Sequence, residues 1–223
     1  MKKFNIIIVM IFCFNINFSQ QSTEAKQLLN KVSENIKSYK NVFINYVYSL
    51  NNEELDIDEE NSGSFVKEKE KWKLEFVGIT RIFDGEKLYT ISPDDEEVTI
   101  SSENPEEEST ITPNKILYFY EDGYTMELDR VEYLKNRSRS NSKYRKKIQY
   151  VKLVPKDSDS SFKYIHLGID TEFNQIYKVV ETGKNETVTT ITIVDFEFNV
   201  NLDDNIFTFS KNDYEDYYMN IID

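Results

Sequence analysis

The feature that most restricts the fold of this chain is a succession of short period-two patterns separated by turn signals. In the segment "RIFDGEKLYTISPDDEEV", Leu88, Thr90 and Ser92 alternate with Tyr89 and Ile91, which is the period of a pleated strand. Asp84-Gly85 predicts a tight turn before this strand, because glycine accepts the positive φ that such turns need. The sequence from Ser92 to Asp95 predicts a second turn. This segment therefore predicts consecutive antiparallel hairpins.

Similar patterns cover most of the chain. The segment from Val42 to Leu50 alternates, and Trp72, Leu74 and Phe76 fall on one side of a predicted strand while lysines and a glutamate fall on the other. The acidic stretch from Glu53 to Glu60 is typical of a loop or hairpin tip. The chain contains 15 Tyr and 15 Phe, which suits an antiparallel sheet with one wet face and one bulky face.

Two segments have helical signals instead. The residues "STEAKQLLNKVSENIKSY" place apolar side chains at helical spacing. These side chains are Ala25, Leu28, Leu29, Val32, Ile36 and Tyr39. A second, short helix is predicted from Thr112-Pro113, a cap followed by proline at the first helical position, to Gly123. Each helix has an apolar stripe that must pack on something.

The N-terminus has the layout of a secretory signal peptide. Lys2 and Lys3 precede an apolar run from Phe4 to Phe14, which is too short to cross a bilayer, and small or polar residues follow. We expect residues 1–20 to be removed, with cleavage near Gln20, and residues 21–223 to form one domain. The only cysteine, Cys13, lies in the apolar run, so the mature chain should have neither a lipid anchor nor a disulfide.

The charge distribution limits the possible partners. The net charge of -13 disfavours nucleic acid and anionic membranes as main partners. One stretch, from Arg130 to Lys156, is nevertheless basic. It is either a solvated hairpin loop or a docking surface for a partner or for lipid headgroups. The residues of such a surface would be Arg137, Arg139, Arg145, Lys146 and Lys147.

Catalytic chemistry has little support in this sequence. His166 is the only histidine, and it lies in a strand pattern that does not indicate a catalytic triad. With one histidine and no mature cysteine, a zinc site would need carboxylates, and no helix has the required spacing. We therefore expect a protein that is not an enzyme and has neither a metal nor a cofactor.

The order of several segments resembles a known family. After the helical "LLNKVSENIKSYKNV" come "SGSF", "KWKLEF", "IFDGEKLYTISP", "TPNKIL", "VKLVPK", "IHLGID", "QIYKVVETGKNETVTTITI" and "NIFTFS". Together they resemble the periplasmic outer-membrane lipoprotein carriers (LolA-like proteins). The resemblance implies a mainly β (α+β) fold, an open, incomplete antiparallel β-barrel, with an N-terminal helix and short lid helices over its concave face. It also implies a soluble periplasmic carrier of lipoprotein acyl chains, a monomer, with an inner-membrane transporter as donor and an outer-membrane acceptor.

Under this resemblance, the bulky face would be the ligand site. We expect the acyl-chain cavity to be lined by Trp72, Leu74, Phe76, Tyr89, Ile91, Ile116, Leu117 and Tyr120. From the residues alone, the same face could equally be an ordinary core. Two alternatives remain: a sensor or protein-interaction domain on the same fold, and a carrier of another amphiphile such as a glycolipid or pigment.

One position departs from the family pattern. Well-known members have an Arg-Pro pair at the exit of the second strand, and the arginine is tied to cargo handling. Here Lys69 is the nearest basic residue and Glu70 stands about where the proline would be. Either Lys69 or Arg81 could replace that arginine, and the sequence does not choose between them.

Overall fold

A computed structural model of the chain describes residues 21–102, 117–135 and 145–222. The predicted signal peptide therefore lies outside the described residues, as do Ile116, Arg137 and Arg139. The chain divides into two compact units. The first unit comprises Met1–Asn35 and Tyr120–Val188, and the second comprises Ile36–Phe119 and Thr189–Asp223.

The N-terminal helix, α1, spans residues 21–38, as its apolar spacing predicted. The side chains of Ala25, Leu29, Val32 and Ile36 are buried, and the lysines between them are exposed. In the first unit, the Ser33 hydroxyl near the end of α1 donates a hydrogen bond to the Tyr120 hydroxyl over 3.1 Å.

In the described part of the chain, twelve strands follow the helix. They are β1 (Asn41–Asn52), β2 (Ile57–Glu68), β3 (Lys71–Phe76), β4 (Ile79–Phe83), β5 (Leu88–Ser92), β6 (Glu97–Ser101), β7 (Tyr124–Lys135), β8 (Arg145–Pro155), β9 (Phe162–Asp170), β10 (Gln175–Gly183), β11 (Val188–Phe198) and β12 (Tyr218–Ile222). A short 3-10 helix, Lys211–Tyr214, precedes β12.

Within each unit the strand order is open. The order is β12-β6-β5-β4-β3-β2-β1-β11 in the second unit and β10-β9-β8-β7 in the first. Pairing is antiparallel from β1 to β6 and from β7 to β10, whereas β12 runs parallel to β6. This confirms the predicted fold class, a mainly β chain with an N-terminal helix and an open, incomplete antiparallel β structure.

The predicted turns have clear local causes. Gly85 has a φ of 101°, and the Asp84 carboxylate accepts hydrogen bonds from the amides of Glu86 and Lys87, both over 2.8 Å. The turn between β3 and β4 consists of Val77 and Gly78, which both have positive φ, as tight two-residue hairpins require. The acidic stretch forms a turn only up to Asp56, because β2 already begins at Ile57.

Of the second predicted helix, only residues 117–123 are described. Residue 117 is helical, residues 118–120 form a turn, and residues 121–123 form a bend. Gly123 has a φ of 85° and ends this segment immediately before β7. The first half of the prediction lies outside the described residues.

Candidate ligand-binding site

Strand register assigns the side chains of the second unit to two faces. Residues directly opposite each other in an antiparallel pair point to the same side of the sheet. Phe65 pairs with both Ile44 and Leu74, and Lys67 pairs with both Val42 and Trp72. Their common side also carries Tyr46 and Phe76. We call it the Trp72 face, and its members are Val42, Ile44, Tyr46, Phe65, Lys67, Trp72, Leu74 and Phe76.

The same register corrects one expectation. Leu74 pairs with Arg81, so Arg81 lies on the Trp72 face. Tyr89 instead pairs with Ile82, which is opposite Lys73, and Ile91 pairs with Thr80, which is opposite Glu75. Tyr89 and Ile91 therefore lie on the other face, and the expectation that they share a surface with Trp72, Leu74 and Phe76 was wrong. The physical reason is that turn geometry sets the register between strands, whereas alternation is a property of each strand alone.

The face opposite the Trp72 face is closed by the chain itself. Ile82, Ile91 and Val98 form a buried cluster. The partly buried residues packed against it are Tyr89, Ile100, Phe209, Tyr214, Tyr217 and Met219. The Phe209 ring stacks on Tyr89 with centroids 4.6 Å apart and on Tyr214 with centroids 5.5 Å apart. We call Phe209–Met219 the C-terminal cover, and the cluster beneath it is a core.

A cavity of about 350 Å³ lies where the Trp72 face meets the ends of β1 and β2. We call it the lysine cavity. Its apolar lining is made of Ile36, Val42 and Leu117, all buried. Its volume lies within the range typical of small-molecule sites. Among the described residues of the predicted cavity, Leu117 alone lines it.

Basic side chains surround this cavity. Its charged lining, among the residues that the structure describes, consists of Lys37, Lys40, Lys67, Lys69 and one acid, Glu70. Lys40 forms an ion pair of 3.4 Å with Glu68, and the Lys37 ammonium lies 5.5 Å from the centre of the Tyr118 ring. The Lys67 ammonium donates to the Lys69 carbonyl. Burial lowers the pKa of Lys67, while Glu70 raises it by a smaller amount.

A second cavity, of about 540 Å³, is lined by residues of β1, β2, β3 and β11 and of the turn after β3. Its lining includes Phe76, a predicted site residue, and Tyr46. Among the described residues, the buried Tyr46 hydroxyl has no hydrogen-bond partner, and burial raises the pKa of this tyrosine to about 12. The Tyr46 ring lies over Gly63, where a Cβ atom would come within 2.4 Å of it.

The remaining predicted site residues are more scattered. Trp72 and Leu74 are buried on the Trp72 face, 4% and 5% exposed, and line neither of these two cavities. Tyr120 belongs to the first unit. Arg81 is half-buried on the Trp72 face, and burial lowers its pKa. Lys69 lies in the turn between β2 and β3, with a φ of 53°.

The sequence interpretation did not identify the lysine cavity. Its floor residues Ile36 and Val42 had been assigned only to α1 and β1. The one available signal was the position of two pairs of lysines. Lys37 and Lys40 lie on either side of the end of α1, and Lys67 and Lys69 lie on either side of the end of β2. A sequence alone does not place those boundaries side by side.

Of the predicted docking residues, the structure describes Arg145, Lys146 and Lys147, which lie in the first unit. Lys146 forms an ion pair of 3.1 Å with the buried Asp170, and its ammonium lies 4.8 Å from the centre of the Tyr177 ring. Lys147 is exposed on β8, and Arg145 begins that strand. These contacts give Lys146 a structural role, and the docking surface remains a prediction.

Neither a metal centre nor a spanning helix occurs in the described part of the chain. Residues 21–102, 117–135 and 145–222 contain no cluster of three or more potential metal-binding side chains. The helices among these residues include none that is long and apolar enough to cross a bilayer. His166 lies 3.2 Å from the Asp129 carboxylate, and burial, the largest influence, lowers its pKa.

Comparison with known proteins gives a family match. The family model described as "Outer membrane lipoprotein carrier protein LolA" matches residues 78–210, more than half of the chain. No curated protein sequence matches significantly.

Several solved structures are similar to this chain. An uncharacterized conserved protein from Thermus thermophilus is 11% identical over 89% of this chain and 98% of its own, with a TM-score of 0.56. A LolA superfamily protein from Nitrosomonas europaea is 12% identical over 82% and 97%, with a TM-score of 0.41. LprF from Mycobacterium bovis is 13% identical over 82% and 96%, with a TM-score of 0.46. At these identities, the likeness to the Thermus protein concerns the fold alone.

Proposed function

Because the chain belongs to the outer membrane lipoprotein carrier family LolA, we propose that it is a periplasmic carrier of lipoprotein acyl chains. In this role it receives an acylated protein from an inner-membrane transporter and delivers it to an outer-membrane acceptor. The protein acts as a monomer, and it binds and releases its cargo without catalysing a reaction.

The observation that carries this proposal is the continuity between the Trp72 face and the lysine cavity. Val42 belongs to both, and the same face continues through the large apolar side chains of Ile44, Phe65 and Trp72. Transfer of an acyl chain from water to such a surface is favourable by about 0.8 kcal/mol per CH₂ group. A surface of this kind can therefore shield an acyl chain in the aqueous periplasm.

Arg81 is the better of the two candidates for the family's cargo-handling arginine. It lies on the Trp72 face beside Leu74, whereas Lys69 lies in an exposed turn. A half-buried guanidinium on an apolar face can donate hydrogen bonds to the ester carbonyls of a bound acyl chain.

Lipid extraction followed by mass spectrometry tests the proposal on the protein purified from the periplasm. The wild type should carry acylated material, and Val42→Phe, which fills the lysine cavity, should carry much less while remaining folded. Val131→Phe is the matched control, because Val131 is 40% exposed in the first unit. Wild-type protein that neither carries lipid nor binds a synthetic diacyl lipopeptide would contradict the proposal and favour a protein-interaction domain.

A further inference from the structure

The lysine cavity has a charge opposite to that of the protein. In the described part of the chain four lysines and one glutamate line it, whereas the whole sequence has a net charge of -13. Like charges gathered around one cavity repel one another, and an anion placed between them relieves that repulsion. In an acidic protein, such a local reversal of charge is a feature that a ligand can recognise.

Lys67 is the most informative of these lysines. Its Cα pairs with those of Val42 and Trp72, so its side chain projects from the apolar Trp72 face. Within the described ranges, no carboxylate lies at ion-pair distance from its ammonium, which donates to the Lys69 carbonyl. Glu70 attracts this half-buried ammonium but does not form an ion pair with it, and a bound anionic oxygen would supply a partner at hydrogen-bond distance.

The apolar floor of the same cavity restricts the class of ligand further. Ile36, Val42 and Leu117 are at most 4% exposed, so the basic groups adjoin a surface suited to hydrocarbon. A small hydrated anion gains nothing from such a floor, and a neutral lipid gains nothing from the lysines. An amphiphile with an anionic head uses both.

We propose that the lysine cavity binds the anionic head group, a carboxylate or a phosphate, of an acylated ligand, with Lys67 as the specificity-determining residue. The proposal rests on the proposed carrier function and narrows its cargo to acylated molecules with negative charge next to the chain. Lys37, Lys40 and Lys69 add to the attraction. Because these three lysines are exposed, salt screens their attraction for the anion, and binding should weaken as the salt concentration rises.

The test compares ligands that share one chain length. Decanoate, decyl phosphate, 1-decanol and inorganic phosphate are titrated into the full mature chain, and the fluorescence of the single tryptophan, Trp72, reports binding beside Lys67. The two anionic amphiphiles should bind at least about tenfold more tightly than decanol. Inorganic phosphate alone should bind weakly, and binding as tight as that of decyl phosphate would overturn the amphiphile assignment in favour of a free anion.

Variants separate the role of Lys67 from its contribution to folding. Lys67→Met keeps the apolar stem and should lower the affinity for decanoate about tenfold, with the affinity for decanol unchanged. Lys67→Arg should restore the preference for the anion. Lys87→Met, at an exposed lysine in the β4–β5 turn, is the matched control and should behave like wild type.

The outcomes also distinguish this proposal from the carrier function. Equal affinities for decanoate and decanol, or an unchanged preference in Lys67→Met, would overturn the anionic head group while leaving acyl-chain binding intact. If none of the three amphiphiles binds and no lipid is carried by the purified protein, both proposals are wrong.

Discussion

The two faces of β3–β5 both carry buried apolar side chains but differ in what covers them. One face carries Ile82 and Ile91, which are buried beneath the C-terminal cover of Phe209–Met219. The other is the Trp72 face, which carries all the large apolar side chains of β3 and leads into a cavity lined with lysines. Hydrophobic patterning thus marks two apolar surfaces, and only the segments packed against them distinguish a core from a candidate site.

This difference has an energetic meaning. A closed cluster gains stability from every apolar atom removed from water, so it tolerates neither charge nor lost volume. A ligand face must also shield an acyl chain and release it again. We therefore expect substitutions under the C-terminal cover to affect stability, and matched substitutions on the Trp72 face to affect binding more.

The largest expected effect is that of a charge placed in the closed cluster. Ile91 is 2% exposed, so Ile91→Glu should lower the free energy of unfolding by about 4 kcal/mol, because it leaves a carboxylate buried without a partner. Val42→Glu, on the Trp72 face, should cost about half as much, because its carboxylate would lie beside Lys67 at the lysine cavity, and it should abolish lipid binding. Urea denaturation and extracted lipid measure the two effects. Equal losses of stability would show that the Trp72 face is as closed as the other.

Truncation of the cover should have the next largest effect. Phe209→Ala removes two stacked aromatic contacts and exposes part of the cluster, so the free energy of unfolding should fall by about 2–3 kcal/mol. Lipid binding by the folded protein should stay at the wild-type level. The exposed Ile221→Ala, which is on the same side of the sheet as Met219, serves as the control and should change stability by less than about 0.5 kcal/mol. Loss of lipid from a stable Phe209→Ala protein would contradict the division between the two faces.

Close packing on the Trp72 face predicts a smaller cost for Gly63→Ala. Its Cβ atom would lie 2.4 Å from the Tyr46 ring and 2.9 Å from the Glu75 carbonyl oxygen. Relief of this overlap should cost about 1–3 kcal/mol, since overpacking forces neighbouring atoms to move. Thermal unfolding measures the change, and the exposed Ser62→Ala should have almost no effect. A neutral Gly63→Ala would mean that the Tyr46 ring moves freely.

The smallest expected effect is a gain. Tyr46→Phe removes a buried hydroxyl that has no partner among the described residues, so it should raise the free energy of unfolding by about 1 kcal/mol at pH 7. The pKa of Tyr46 is about 12 in the folded protein, above its ordinary value of 10.0. The unfolded chain therefore loses this proton first, and the contribution of Tyr46 to stability falls between pH 10 and pH 12. Tyr46→Phe should lack that part of the alkaline loss, and a destabilised variant would indicate that the hydroxyl has a partner.

Much of the fold was predictable because its signals are local. The amphipathic spacing of α1, the Asp84-Gly85 turn and the alternation of β1 and β3 each depend on residues within a few positions of one another. The order of these segments was also sufficient to indicate the family. Such signals remain readable without the rest of the molecule, because backbone preferences and side-chain periodicity act over short distances.

The candidate site was less predictable, because it depends on distant residues meeting. Trp72, Leu74 and Phe76 share one face as expected, since a single strand fixes that relation. The position of Ile91 on the opposite face depended on the two turns between β3 and β5, and its burial depended on residues after Phe209.

The lysine cavity needed still more, since it joins Ile36 from α1 and Val42 from β1 with Lys67 from β2 and Leu117 from a segment about 50 residues later. The sequence by itself determined the elements and the apolar character of each strand. Only the tertiary structure decided which apolar surface became a core and where the lysines gathered, because register and coverage are set by contacts between residues far apart in the chain.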